Sequence, residues 1–130
     1  MIAKRRFSTE TLATLRESKG LRIRAGNGMH RFIGIWVVVV DDRVFVRSWS
    51  LKPQGWYRTF IAEPQGAIQI AGHEIPIRAV RTRSERVKSA IDRAYLEKYK
   101  TTGEIKYARD LVRAKCRATT IEFLPLPTAS

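Results

Sequence analysis

The feature that most constrains the fold is a series of short apolar runs separated by turn residues. Leu21 to Ala25 alternates apolar and basic residues, which is the period of a half-buried strand. Gly26-Asn27-Gly28 tolerates positive φ, a second run covers His30 to Val40, and Asp41-Asp42-Arg43 leads to a third, Val44 to Trp49. Connections this short join antiparallel strands, because a parallel crossover needs about a dozen residues or more. We therefore expect three consecutive antiparallel neighbours.

The continuous apolar run from Trp36 to Val40 carries a second expectation. A strand without alternation is typical of the middle of a sheet that is covered on both faces. We therefore predict that this segment is a central strand, buried on both sides.

Helices and further strands flank this sheet. Ser8 is predicted to cap a short amphipathic helix that ends at Lys19-Gly20. Pro76 demotes the strand that contains it to an edge strand or a bulge. The other predicted elements are a short helix Trp56 to Ala62, a hairpin of Ala67 to Ala71 and Glu74 to Val80 with a Gly72-His73 turn, a long helix from the capping box Thr82/Glu85 to about Lys100, a shorter helix Glu104 to Arg113 and a last strand Cys116 to Leu124.

At 130 residues the chain fits one domain. Six strands, mostly linked by hairpins, favour an α+β fold of mainly antiparallel β structure, in which a small closed or partly open barrel has helices packed outside it. The longest apolar run is far shorter than the roughly 20 residues that span a membrane. The basic start is followed by polar residues, and the single Cys116 suits a reducing compartment. We predict a cytoplasmic protein without membrane contact.

The charge balance points to anionic partners. The chain has 25 Lys and Arg against 12 Asp and Glu, a net charge of +13. Such an excess favours nucleic acid, an anionic membrane or a phosphorylated small molecule, although it also simply keeps a protein soluble. Residues 43–62 contain no acid and combine basic with aromatic side chains.

Common catalytic templates are missing. His30 and His73 are far apart and Cys116 is alone, so no metal site is predicted. Gly26-Asn27-Gly28 lacks the third glycine of a dinucleotide fingerprint, and no Walker loop occurs. No catalytic residue is assigned, and Cys116 is interpreted as a small core residue of a strand.

What remains is the basic and aromatic segment itself. On a strand, Arg47 and Trp49 share one face and Ser48 points to the other. Trp56 opens a helix, where N–H donors favour anions, and the loop from Lys52 to Gly55 precedes it. The alternative interpretation is that Trp49, Trp56 and Tyr57 are core residues with arginine stems packed beside them.

Four motifs carry a resemblance to a known family. The chain from about Phe7 to Phe123 resembles a family of uncharacterised bacterial proteins that looks like a branch of the split-barrel flavin-binding superfamily, near the deazaflavin-dependent nitroreductases. The resemblance implies a single split-barrel-like domain over residues 1–130, a small six-stranded split β-barrel with flanking helices, and frayed ends at 1–6 and 125–130. The motifs are Trp36-Val37-Val38-Val39-Val40, Val44-Phe45-Val46-Arg47-Ser48-Trp49, Gly55-Trp56-Tyr57-Arg58 and Gly72-His73-Glu74-Ile75-Pro76.

The resemblance also implies a ligand. The nitroreductase relatives hold a cofactor phosphate with a loop of Lys-Pro followed by Trp-Tyr, which Lys52-Pro53 and Trp56-Tyr57 match. Their Gly-Arg-Lys-Ser-Gly turn is replaced here by residues 25–31, with Arg31 as the substitute. The implied cofactor is FMN or a deazaflavin, bound in a homodimer with oxidoreductase activity. The cofactor-binding residues are expected to be Arg31, Arg47, Ser48, Trp49, Lys52, Trp56 and Tyr57.

Two other functions remain open at this stage. A split barrel that has no cofactor would bind nucleic acid through its basic face, with affinity falling steeply as salt rises. The clustering of the aromatic residues near one loop speaks against this alternative. The chain would otherwise be a dimeric stress or scaffold protein, for which no motif gives positive support.

Overall fold

A computed structural model describes residues 6–26, 31–50, 52 and 55–126. The predicted frayed ends lie largely outside the described residues, as do Asn27, Gly28 and His30 of the first hairpin turn. The helices are α1 (Thr9–Glu17), α2 (Trp56–Ala62), α3 (Glu85–Lys98), α4 (Ile105–Leu111) and α5 (Ala114–Arg117). The strands are β1 (Leu21–Ala25), β2 (Ile33–Ile35), β3 (Val37–Val40), β4 (Arg43–Val46), β5 (Gln65–Ile70), β6 (His73–Arg81) and β7 (Ile121–Pro125).

The seven strands form one antiparallel sheet in the order β2-β1-β5-β6-β7-β4-β3. Its two outermost strands, β2 and β3, are joined along the chain by Trp36 alone. The two edges of the sheet therefore meet at this residue, and the sheet curls into a nearly closed barrel. The predicted α+β class with a mainly antiparallel split barrel is confirmed.

The strand expected from His30 to Val40 is divided at Trp36, so the described residues contain seven strands and not six. The prediction of a central strand was wrong, because β3 is the last strand of the order and pairs only with β4. Both of its faces are nevertheless buried. Val37 packs into the barrel interior and Val38 packs in the outer cluster that includes Ile91 and Tyr95 of α3. The helices thus bury the outer face of β3, as a second layer of sheet would in a sandwich.

Two apolar clusters hold the domain together. The inner cluster fills the barrel and includes Leu15 of α1 and Phe60 of α2. The outer cluster lies between β3 and β4 on one side and α3, α4 and α5 on the other. Among the described helices, none is long and apolar enough to cross a bilayer.

The helix signals were partly right. Ser8 caps α1, and its Oγ accepts a hydrogen bond from the Thr11 N–H. The predicted Thr82 cap was wrong: Thr82 donates its N–H to the Thr120 carbonyl, and Ser84 caps α3 instead. Cys116 lies in the short helix α5, not in a strand, and burial raises the pKa of its thiol. Its core role is therefore retained in a different element.

The strand that contains Pro76 is not an edge strand, because β6 lies between β5 and β7. The missing N–H is tolerated because Pro76 faces the end of β7, where its carbonyl accepts a hydrogen bond from the Leu126 N–H. The turn before β6 is also one residue earlier than predicted. Ile70 pairs with His73, and Ala71 and Gly72 form the loop, with φ of 49° and 78°.

Candidate functional site

Arg47 follows β4 directly and its side chain is buried. Its Nε donates to Thr120 Oγ1 at 2.8 Å, its Nη1 to Asp92 Oδ1 at 2.5 Å and to the Leu111 carbonyl at 2.9 Å, and its Nη2 to the Lys88 carbonyl at 3.0 Å. These contacts tie the barrel to α3 and α4. The guanidinium lies in the interior, where these partners are all protein groups.

Ser48 is buried beside it. Its N–H donates to Thr119 Oγ1 at 2.8 Å, and its Oγ donates to the Ser50 carbonyl at 2.6 Å. The hydroxyl thus stabilises the turn that leads away from the sheet. The polar groups of Arg47 and Ser48 are thus engaged with partners inside the protein.

Trp49 is 38% exposed and belongs to a group of four rings on the outside of the barrel, which we call the aromatic platform: Trp36, Trp49, Tyr99 and Tyr107. Trp36 stacks on Tyr99 with 4.0 Å between centroids and 3° between planes. Trp49 meets Trp36 edge-on at 5.3 Å, and its Nε1 donates to the Tyr107 carbonyl at 3.3 Å. Burial raises the pKa of Tyr99, so this ring stays neutral.

Trp56 and Tyr57 lie in the first turn of α2 and face the barrel. Tyr57 is a buried member of the inner cluster, and Trp56 is half-buried against the same cluster. The Trp56 and Phe60 rings are in edge contact at 6.1 Å. Trp56 and Tyr57 therefore pack as the alternative interpretation predicted, as core residues. Trp49 does not, because it lies on the surface.

Lys52 is exposed, and its N–H donates to Ser50 Oγ at 3.1 Å. Arg31 is exposed ahead of β2. The structure therefore divides the predicted site residues. Arg47 and Ser48 are internal, Trp49 belongs to the outer aromatic platform, and Trp56 and Tyr57 belong to the inner cluster.

A groove at the mouth of the barrel brings together more exposed positive charge than the predicted site residues do. It lies between the carboxyl half of α2 and the end of β6 and has a volume of about 320 Å³. Phe60 and Ile61 supply apolar surface, and Ile61 is 42% exposed. We call this site the arginine groove and define it by Phe60, Ile61, Arg78, Arg81 and Arg83.

The three arginines of this groove are all exposed. Within the described part of the chain, no hydrogen bond, ion pair or ring contact is found for the side chains of Arg78, Arg81 and Arg83, and no acid lines the groove. Guanidinium groups in such a position match phosphate and carboxylate in a bidentate manner. Barrel mouths are also a common location for ligand sites.

A second cavity of about 420 Å³ adjoins the groove on the other side of Pro64 and Arg78. It contains Glu63 as well as Arg78, so its walls carry both signs of charge. The larger space is thus less suited to an anion than the arginine groove.

The arginine groove was not predicted from the sequence, because its arginines and its apolar residues lie in different segments. A signal existed, since Arg78, Arg81 and Arg83 occur within six residues without an acid between them. The partners that bring Phe60 and Ile61 next to them come from a different part of the chain. Only the fold makes this combination.

Solved structures of similar fold were found. The heme storage protein HutZ from Vibrio cholerae is 13% identical with a TM-score of 0.63, and the match covers 96% of this chain and 92% of that chain. A putative pyridoxamine 5'-phosphate oxidase from Listeria innocua is 12% identical with a TM-score of 0.57 and 92% coverage of both chains. An FAD-binding protein from Mesorhizobium loti is 15% identical with a TM-score of 0.54, covering 98% and 95%. These likenesses show that the chain shares its fold with these three proteins.

A sequence comparison with curated proteins found no match. A family model, described as "Uncharacterized protein conserved in bacteria (DUF2255)", matches residues 11–123. The match includes every described strand except the last two residues of β7.

Proposed function

The chain belongs to this bacterial family, and from that premise we propose that it binds a phosphorylated, flavin-type ring cofactor in the arginine groove. The observation that carries the proposal is the set of three exposed arginines, Arg78, Arg81 and Arg83, beside the apolar side chains of Phe60 and Ile61. A ligand with a phosphate and a flat ring needs this combination of charge and apolar surface. The arginines would hold the phosphate and the apolar residues would face the ring.

The similar structures support a cofactor of this general kind, since one is named as an FAD-binding protein and another as a putative pyridoxamine 5'-phosphate oxidase. A third is named as a heme storage protein. Among the described residues that line the arginine groove, none is His, Cys, Met or Tyr, the usual axial ligands of haem iron. The groove therefore favours a flavin-type ligand over haem.

Trp56 extends the proposed site along α2. It lies one turn before Phe60, and its ring continues the apolar surface toward the start of the helix. We include Trp56 in the proposed site, and Arg31 remains a predicted phosphate ligand. Arg47 and Ser48 are left out, because their polar groups are used inside the protein.

A bound flavin or deazaflavin would supply hydride or electron transfer. The residues of the chain would bind and orient it. We propose FMN or a deazaflavin as the cofactor, a homodimer as the assembly, and a nitroreductase-like oxidoreduction as the activity.

The test is a titration of purified protein with FMN, FAD, a deazaflavin cofactor, haem and riboflavin, followed by the change in ligand fluorescence or absorbance. Riboflavin has the FMN ring without the phosphate, so it isolates the role of the arginines. We expect the double variant Arg81→Gln/Arg83→Gln to lose about tenfold or more in FMN affinity, because a charge-assisted contact is worth about 1.5–3 kcal/mol. Riboflavin affinity should not change.

Arg86→Gln/Arg93→Gln is the matched control. Both arginines are exposed on α3 outside the groove, and the variant removes the same charge. It should bind FMN like the parent protein. Failure of all flavins and deazaflavins to bind, or equal loss in both double variants, would overturn the proposal.

A further inference from the structure

The aromatic platform and its basic rim form a surface that is separate from the arginine groove. Trp49 is 38% exposed and Tyr107 is 46% exposed, and both rings rest on Trp36 at 5.3 and 6.4 Å. Trp36 in turn stacks on the buried Tyr99. The two exposed rings therefore stand on a rigid base and lose little freedom when a ligand stacks on them.

The platform is built from four separate parts of the chain. Trp36 lies between β2 and β3, Trp49 follows β4, Tyr99 caps the end of α3, and Tyr107 is on α4. The sequence placed the aromatic residues near one loop, which had counted against a nucleic acid surface. In the folded protein, this objection no longer applies to Trp49.

The charges at the rim are positive. Lys106 Nζ lies 5.0 Å from the Tyr107 ring centroid, and the exposed Lys52 follows Trp49 by three residues. The nearby acids of the α4 region are already paired, Glu104 with Lys19 and Asp110 with Arg113. Two copies of this face would repel each other, whereas a polyanion with flat rings complements it.

We infer that the aromatic platform binds single-stranded nucleic acid by stacking bases on Trp49 and Tyr107, with Lys52 and Lys106 on the phosphates. The two ring centroids are 6.5 Å apart and their planes are at 84°. Neighbouring bases along a duplex strand are about 3.4 Å apart and parallel, so a duplex cannot use both rings. Splayed, unstacked bases of a single strand can.

The test uses the full chain and a fluorescein-labelled oligothymidine of about 12 nucleotides, within the usual site size of such surfaces. Anisotropy should report binding that weakens as salt rises. Trp49→Ala should weaken it about tenfold, since one base–aromatic stack accounts for roughly 5- to 150-fold in affinity, and Tyr107→Ala should do likewise. Trp49→Phe should retain most of the affinity, because it keeps a ring.

Lys106→Gln should reduce the slope of log affinity against log salt by about 0.7, the value for one phosphate contact of a single strand. The control variant is Arg81→Gln/Arg83→Gln, which changes the arginine groove. Its affinity for the oligonucleotide should fall less than that of Trp49→Ala, because only distant positive charge is lost. Adding Trp49→Ala to this variant should still weaken binding about tenfold. Saturating FMN should not displace the oligonucleotide.

Three results would overturn the inference. The first is that heparin, which has charge but no bases, displaces the oligonucleotide equally well from the parent protein and from Trp49→Ala, which would mean that only charge matters. The second is that a duplex of the same length binds as tightly as the single strand. The third is that light scattering shows a dimer that Trp49→Ala dissociates, which would mean that the platform binds a second copy of the chain.

Discussion

The Arg47 guanidinium lies against the Asp92 carboxylate, with Nη1 2.5 Å from Oδ1, at the junction of the barrel and α3. The Arg47 side chain is fully buried, while 23% of the Asp92 side chain is exposed. Asp92 also accepts a hydrogen bond from Arg117 Nε at 2.9 Å, and Arg117 pairs with Glu85. The charge of Arg47, which the sequence pattern assigns to a ligand, thus helps to hold α3 and α4 on the barrel.

Replacement of this arginine tests its structural role. Arg47→Met should lower the free energy of unfolding by about 3–5 kcal/mol, because it leaves the Asp92 carboxylate partly buried with one of its two cations gone. Arg47→Lys should recover little of the loss, since one ammonium cannot replace a fork that reaches Thr120, Asp92 and two carbonyls. Urea unfolding measures both values.

Arg93→Met is the matched control for this experiment, because Arg93 is exposed on the same helix. Its effect should stay within about 0.5 kcal/mol. If Arg47→Met were as stable as the parent protein and lost FMN binding, Arg47 would be a phosphate ligand, as the sequence had suggested.

The sequence predicted most elements of the fold, because their signals are local. The hairpins β1–β2, β3–β4 and β5–β6, and the Ser8 cap, each depend on residues close together in the chain. The order of strands is not local. Trp36 divides one apolar run into the two outermost strands because the barrel closes at this residue. No short segment of the sequence shows where the barrel closes.

The same distinction explains the site. The burial of Arg47 depends on Asp92 and Thr120, which are 45 and 73 residues away in sequence. The arginine groove joins β6 to α2, and the aromatic platform joins Trp49 to Tyr107, 58 residues later. Sequence patterns identified residues suited to anions and rings, but only the tertiary structure decides which of them reach the surface together.

The β5–β6 turn offers a way to stabilise the protein. Ala71 and Gly72 form a two-residue hairpin loop with φ of 49° and 78°, the conformation in which Asn-Gly is preferred. Ala71→Asn should therefore raise the free energy of unfolding by about 1 kcal/mol. Gly72→Ala should lower it by about 1–2 kcal/mol, because a Cβ is strained at this φ. Thermal unfolding of the two variants should shift in opposite directions, and a shared direction would argue against this turn conformation.

Gly66 allows a close approach of β5 to its surroundings. A Cβ at this position would overlap the Arg24 carbonyl oxygen and would lie 2.8 Å from Phe60 Cε1. The first contact is with backbone and cannot be relieved by a rotamer change. Gly66→Ala should therefore lower the free energy of unfolding by about 1–3 kcal/mol.

Gly34→Ala is the matched control, since Gly34 is also a strand residue and a Cβ there meets nothing within 4 Å. This variant should be neutral or more stable by up to about 1 kcal/mol, because alanine restricts the unfolded chain. Equal urea midpoints for the two variants would contradict this prediction, because they would mean that β1 and α2 shift to make room for the methyl group at position 66.

Lys98 makes the stability depend on pH in a predictable direction. Its Nζ donates to the Leu15 and Val37 carbonyls at 2.8 and 2.9 Å, which ties α3 to α1 and β3. Burial, with a smaller contribution from the charge of Lys19, lowers the pKa of Lys98 from 10.5 to about 8. Between these two values the unfolded chain binds a proton that the folded protein has released. The contribution of Lys98 to the free energy of unfolding therefore rises as the pH increases from about 8 toward 10.5.

The measurement compares the parent protein with Lys98→Met by urea unfolding at several pH values from about 7 to 9.5. The difference in unfolding free energy between the two proteins should grow in favour of the parent across this range. Higher pH must be avoided, because burial raises the pKa of Tyr95 and Tyr99, and their ionisation in the unfolded chain would lower stability. Lys100→Met, which removes an exposed amine two residues later, should follow the parent protein. A difference between parent and Lys98→Met that stays constant with pH would mean that Lys98 keeps its proton in the fold, held by the two carbonyls.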